Sequence, residues 1–143
     1  MAVKANKVEV WAAPIQDEPG RLSEIFAMLA EAGADFNFAL ARRERAKPGT
    51  GVVFLTPLQG AKQLAAAKAA GFKKLTSVWT VRVEAPNKPG LAAALTRQIG
   101  KAGVNLRGLS ASTDGKTCVM YLTLDKTSDV NKVIRAVTKT KAA

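Results

Sequence analysis

Asp17-Glu18-Pro19-Gly20 and Asn87-Lys88-Pro89-Gly90 stand seventy residues apart, and each opens a helical pattern. In the same frame Gly33 falls opposite Gly103, and Asp35 opposite Asn105. The apolar helix positions repeat with them, Leu22, Ile25, Leu29 and Ala32 matching Ala92, Leu95, Ile99 and Ala102. A period held through loop and helix alike marks a duplicated structural unit. The 143 residues therefore divide into two modules, placed at 1–77 and 78–143. Cores of that size are only marginally stable alone, so the two are expected to share an interface.

Working outward from the first Pro-Gly, Val8, Val10 and Ala12 alternate with Glu9 and Trp11. That reads as one half-buried strand ending at Pro14. After the loop, Leu22, Ile25, Phe26 and Leu29 recur at helical spacing over 21–32, with Gly33 as the C-terminal cap. Phe36, Phe38 and Leu40 then alternate with Asn37, Ala39 and Ala41, and the apolar run 51–55 follows a basic turn at 42–50. Two antiparallel strands fit. The alanine- and lysine-rich stretch 61–70 has high helix propensity and ends at Gly71, and 72–77 supplies a fourth strand.

The second module repeats the order. Val78, Thr80 and Arg82 alternate with Trp79, Val81 and Val83; a helix covers 91–102, and strands cover 104–112 and 117–124 across Asp114-Gly115, a tight-turn pair. Ser128 stands as N-cap of a last helix carrying Val130, Val133, Ile134 and Val137. Only 138–143 remain, so the second module either lacks its last strand or takes it from another chain. The expected class is α+β: two tandem ferredoxin-like βαββαβ modules, antiparallel sheets with helices on one face.

Composition narrows the chemistry. With 48% hydrophobic and 23% charged residues the chain is globular, and no apolar run reaches the roughly 18 residues of a membrane span. Glu9 interrupts the apolar stretch after Lys4 and Lys7, which argues against a signal peptide, and a cytoplasmic protein is expected. Without histidine and with the single Cys118, the usual zinc and copper ligand sets and an internal disulfide are excluded; no cofactor is expected. No Ser/His/Asp arrangement or Walker-type loop exists, and Cys118 lies in an apolar strand with no histidine to activate it, so the chain is not expected to be an enzyme. The net charge of +11 is uneven: residues 1–71 hold nine Lys/Arg against seven Asp/Glu, and residues 72–143 hold thirteen against four.

At the repeated loop, Gly20 and Gly90 precede helix N-termini, whose free N–H groups and positive dipole end favour a small anion such as a carboxylate. Eighteen residues after Asp17 and Asn87 come Asp35 and Asn105. The two polar positions of one copy, or of facing copies, would then converge on a ligand bearing both a carboxylate and an amine.

The pattern [Asp/Asn]-x-Pro-Gly-x-[Leu/Ala], with Gly-[Ala/Val]-[Asp/Asn] at the helix end, resembles the ACT domain, an amino-acid-sensing module of metabolic enzymes. The resemblance spans two tandem copies, 8–77 and 78–143. It implies a regulatory module that binds an amino acid at an interface between copies and signals to a metabolic partner protein; the open edge left by a missing last strand would invite a homodimer. Residue by residue, Asn87 and Asn105 stand where asparagines of serine-inhibited phosphoglycerate dehydrogenases hold their ligand, with Gly90 and Leu91 offering backbone N–H groups. Asp17 and Asp35, with Gly20, Arg21 and Leu22, are the counterparts in the first copy. Ile15 and Ala85 stand where that group often has histidine.

Other readings compete. Pro-Gly before a helix is a common structural device, and Asp35 or Asn105 could simply cap a turn. The cluster Arg42, Arg43, Arg45 and Lys47 reads as a solvated hairpin loop. The basic second half fits a module for RNA or an acidic protein, and RNA-recognition motifs share the βαββαβ topology, but strand 117–124 offers only Tyr121 for stacking. A purely oligomerising tandem is the third reading.

Overall fold

The computed structural model describes residues 2–140. Period-two and helical patterns resolve into β1 (Lys4–Val8), β2 (Trp11–Gln16), α1 (Arg21–Glu31), β3 (Phe38–Arg43), β4 (Thr50–Thr56) and α2 (Gly60–Ala69), then β5 (Lys73–Lys74), β6 (Trp79–Pro86), α3 (Leu91–Lys101), β7 (Leu106–Thr113), β8 (Thr117–Leu124) and α4 (Ser128–Thr138). The strands form two four-stranded antiparallel sheets, ordered β3-β4-β2-β5 and β1-β6-β8-β7. This is the expected α+β class, with the order strand, helix, strand, strand, helix met twice along the chain.

The larger core closes the second sheet. Leu91, Leu95 and Ile99 recur every four residues along α3 and are buried, as are Val130, Val133 and Val137 of α4. They pack with Val81, Val83 and Ala85 of β6, with Cys118, Met120, Leu122 and Leu124 of β8, and with Val3. In the first sheet Ala13, Val53 and Leu55 meet Leu29, Ala67 and Phe72. Leu22, Ile25 and Phe26 are only partly buried there, and Phe26 and Phe36 stack at 5.6 Å between centroids.

Three expectations are corrected. The single strand read from Val8 to Pro14 is two strands in different sheets: Val8 pairs with Thr80, whereas Trp11 pairs with Leu55. The break falls at Glu9 and Val10. The Glu9 carbonyl accepts the Thr56 hydroxyl at 2.8 Å and the Val10 carbonyl accepts the Leu75 N–H at 2.9 Å, so both are held by the first sheet. Pro14 lies inside β2 opposite Val52, past Trp11 and Ala12, the two residues that β5 covers; on that edge its missing N–H removes no ladder bond.

Second, the fourth strand of the second sheet is neither missing nor taken from another chain. It is β1, paired from Lys4 opposite Glu84 to Val8 opposite Thr80, in the place beside β6 that β5 holds beside β2. The chain therefore divides as Glu9–Leu75 and, in the other compact unit, the residues up to Val8 with those from Thr76 on, rather than at 77/78 alone. The stretch 72–77 contributes only the two residues of β5.

Third, Ser128 is the first residue of α4 rather than its cap. Thr127 occupies the cap position with helical angles, φ −62° and ψ −32°, and makes no side-chain cap bond. The Asp114-Gly115 turn is as expected. Asp114 Oδ1 accepts the N–H groups of Lys116 and Thr117, each at 2.9 Å, and these bonds, Thr117's foremost, hold its carboxyl below the usual carboxylate range.

Candidate functional site

Each Pro-Gly loop ends in a glycine of the left-handed region, Gly20 at φ 89° and Gly90 at φ 85°, from which α1 and α3 start. A Cβ at either position meets nothing within 4 Å, so glycine is needed for backbone conformation and not for close packing. The N–H of Glu24 donates to the Gly20 carbonyl at 3.1 Å and that of Ala94 to the Gly90 carbonyl at 3.0 Å, which begins each helix. The N–H of Leu91 turns back to Lys88 at 3.1 Å and that of Arg21 to Glu18 at 3.4 Å. The expected Leu91 donor is therefore occupied, and its side chain is buried in the core. First-turn N–H groups lack intrahelical acceptors, which leaves those of Ala92 and Ala93, and of Leu22 and Ser23, for a ligand.

In the second copy, Asn87 is half-buried and fixed through its main chain, its N–H donating to Lys116 at 2.8 Å. Asn105 is exposed immediately before β7, and Asp35 is exposed three residues before β3. Among the described residues none of these three side chains has a hydrogen-bond partner. The fold does not bring the two polar positions of one copy together. The eleven residues of α1 or α3 lie between them, a length of about 16 Å.

The first copy carries contacts that sequence reading missed. Arg43 Nε donates to Asp17 Oδ2 at 2.8 Å, so the loop acid has a cation on it. Arg21 pairs with Glu24 at 3.0 Å. Beside them is a cavity of about 500 Å³ between the end of β2 (Pro14, Ile15, Gln16), α1 (Arg21, Glu24, Ile25, Met28), the turn at Lys47 and Thr50, and Ala69 and Ala70 at the end of α2. Arg21 and Lys47 present positive charge, Glu24 negative charge, and Ile15, Ile25 and Met28 apolar surface. Such walls can hold a small zwitterion with an apolar substituent. Arg43 and Lys47 belong to the cluster read as a solvated loop, and only the fold connects Arg43 to an aspartate twenty-six residues earlier.

Cys118 is buried, and desolvation pushes its thiol pKa up, away from the reactive thiolate. Among the described residues no three His, Cys, Asp or Glu could hold a metal ion, and no helix is long and apolar enough to cross a membrane.

Residues 79–142 match the family model for the ACT domain. Protein BT0572 from Bacteroides thetaiotaomicron is similar in structure, with a TM-score of 0.76 at 18% identity over 92% of this chain and 88% of that one. The ligand-free regulatory subunit of aspartate kinase from Thermus thermophilus follows at a TM-score of 0.67 and 14% identity, covering 99% of this chain and 98% of its own. A structure of aspartokinase alpha and beta subunits gives 0.63 at 18% identity, over 97% and 96% of the two chains. No curated protein sequence matches the chain. At these identities the structural likeness carries the fold alone, and the match to the ACT-domain model is confined to residues 79–142, the second copy.

Proposed function

We propose that this chain is a regulatory module that binds a free amino acid at its Pro-Gly loops and passes the bound state to a metabolic partner protein. The observation that carries the proposal is the repeated helix start. Gly20 and Gly90 take the same left-handed conformation and leave first-turn N–H groups for a carboxylate, the second of them inside the stretch that matches the ACT-domain model. Asn87 and Asn105 receive the ammonium group. Because α3 separates them within one copy, the pair that meets a ligand is Asn87 of one chain and Asn105 of a second, which makes the binding unit a homodimer. In the first copy Asp17 and Asp35, with Gly20, Arg21 and Leu22, form the corresponding set, Arg43 offsetting the charge of Asp17. Similarity to proteins described as regulatory subunits of aspartate kinase supports a regulatory rather than a catalytic role.

Calorimetric titration of the chain with each of the twenty amino acids tests this. A saturable heat confined to one chemical class is expected. Flat titrations with all twenty would leave a module that only assembles.

A further inference from the structure

We propose that the groove between α3 and α4 docks a nucleic-acid strand through its phosphate backbone, independently of sequence. The groove holds about 350 Å³ and is walled by Lys101 and Gln98 from α3 and by Lys132, Arg135 and Lys139 from α4 and its end. Positions 132, 135 and 139 share one helix face, and all four cations are exposed. Among the described residues only Lys132 has a carboxylate at ion-pair distance, Asp129 Oδ1 at 3.9 Å.

Compensation of the helix dipoles accounts for one cation in each last turn, Lys101 in α3 and Arg135 in α4. Lys132 is surplus to it, and Lys139 adds a second cation at the C-cap of α4. Four cations facing one groove repel one another, and an anion relieves that repulsion. The surrounding unit adds long-range attraction. The residues up to Val8 and from Thr76 on contain thirteen Lys/Arg against four Asp/Glu, while Glu9–Leu75 contains nine against seven.

The lining selects the class of partner. Protein interfaces are depleted in lysine and rest on buried aromatic or aliphatic anchors, yet the apolar part of this groove is two alanines, Ala102 and Ala136. No aromatic side chain lines it, so bases have nothing to stack on and only phosphates are contacted. From Lys132 to Lys139 the helix rises about 10 Å, the axial rise of roughly three nucleotides.

The test is fluorescence anisotropy of the full chain with a labelled single-stranded RNA of mixed sequence, over a series of salt concentrations. Replacing Lys132, Arg135 and Lys139 together by Gln should weaken binding by tenfold or more at low salt. It should also reduce the slope of log Kd against log salt by about 2, roughly 0.7 for each phosphate no longer neutralised. A charge-matched control, Lys7, Lys116 and Lys126 to Gln, should lose less than threefold. Equal losses in the two variants, no binding by the wild type, or displacement of RNA by polyglutamate at equal charge would each overturn the proposal. Should the triple variant melt early, Lys132→Gln and Lys139→Gln singly decide, each lowering the slope by about 0.7. This inference is independent of amino-acid binding, which none of these substitutions touches.

Discussion

Asn105 presents an exposed side-chain amide with no partner among the described residues, and a hydrogen bond to a charged group contributes about 1.5–3 kcal/mol. Asn105→Ala is predicted to weaken amino-acid binding about tenfold or more while the melting temperature stays put; calorimetry showing equal affinity would remove Asn105 from the site. Asp114 acts on stability instead. Its folded pKa is depressed by the N–H groups of Thr117 and Lys116, so its contribution is fully present above the unfolded value of about 4 and is lost as pH falls through the folded one. Urea midpoints of the wild type should therefore drop more steeply as pH falls below about 4 than those of Asp114→Asn, and parallel curves would contradict this. The turn is legible because its determinants, Asp114 and Gly115, are neighbours in sequence. The Arg43–Asp17 pair is not, since a salt bridge across twenty-six residues depends on the strand register that brings β3 alongside the loop.

At the level of elements, the N-terminal strand is the test of how the second unit is completed. Val3 is buried in its core and Lys4–Val8 pairs along β6, so deleting residues 2–8 removes an edge strand and exposes apolar surface. Val3 alone contributes about 1.5–3 kcal/mol. The deletion should lower the urea midpoint of that unit clearly and leave the unit Glu9–Leu75 near its own midpoint; unchanged unfolding would show that β1 contributes nothing. Helix α3 can be read from periodicity alone, because its buried positions Leu91, Leu95 and Ile99 follow one period; in α1 only Leu29 is fully buried, and in β8 buried Tyr121 interrupts the alternation. The division of 8–14 into two strands cannot. Val8, Val10 and Ala12 keep the alternation of a single strand, and the switch of sheets at Glu9 depends on partners at Thr56, Leu75 and Thr80. For the same reason the sequence reading leaves the last strand missing or taken from another chain, whereas the N-terminus holds it.

For the whole molecule, duplication sets the two-module architecture, and the uneven charge survives the exchange of the N-terminal strand, since Lys4 and Lys7 move to the basic side while Lys73 and Lys74 join the other. The site is legible only as loops. Each copy's polar pair is split by its own helix, so the proposed site calls for two chains, a relation that no single repeat encodes. Sedimentation of the chain with saturating amino acid should accordingly give a dimer. The most direct measurement is a set of ¹H–¹⁵N spectra of the full chain titrated with the amino acid that binds. Saturable shifts of Asn87, Gly90, Ala92, Ala93 and Asn105 are predicted, with the α3–α4 groove residues Lys132 and Lys139 unmoved; shifts confined to other surfaces, or none with any of the twenty, would contradict amino-acid sensing at the Pro-Gly loops.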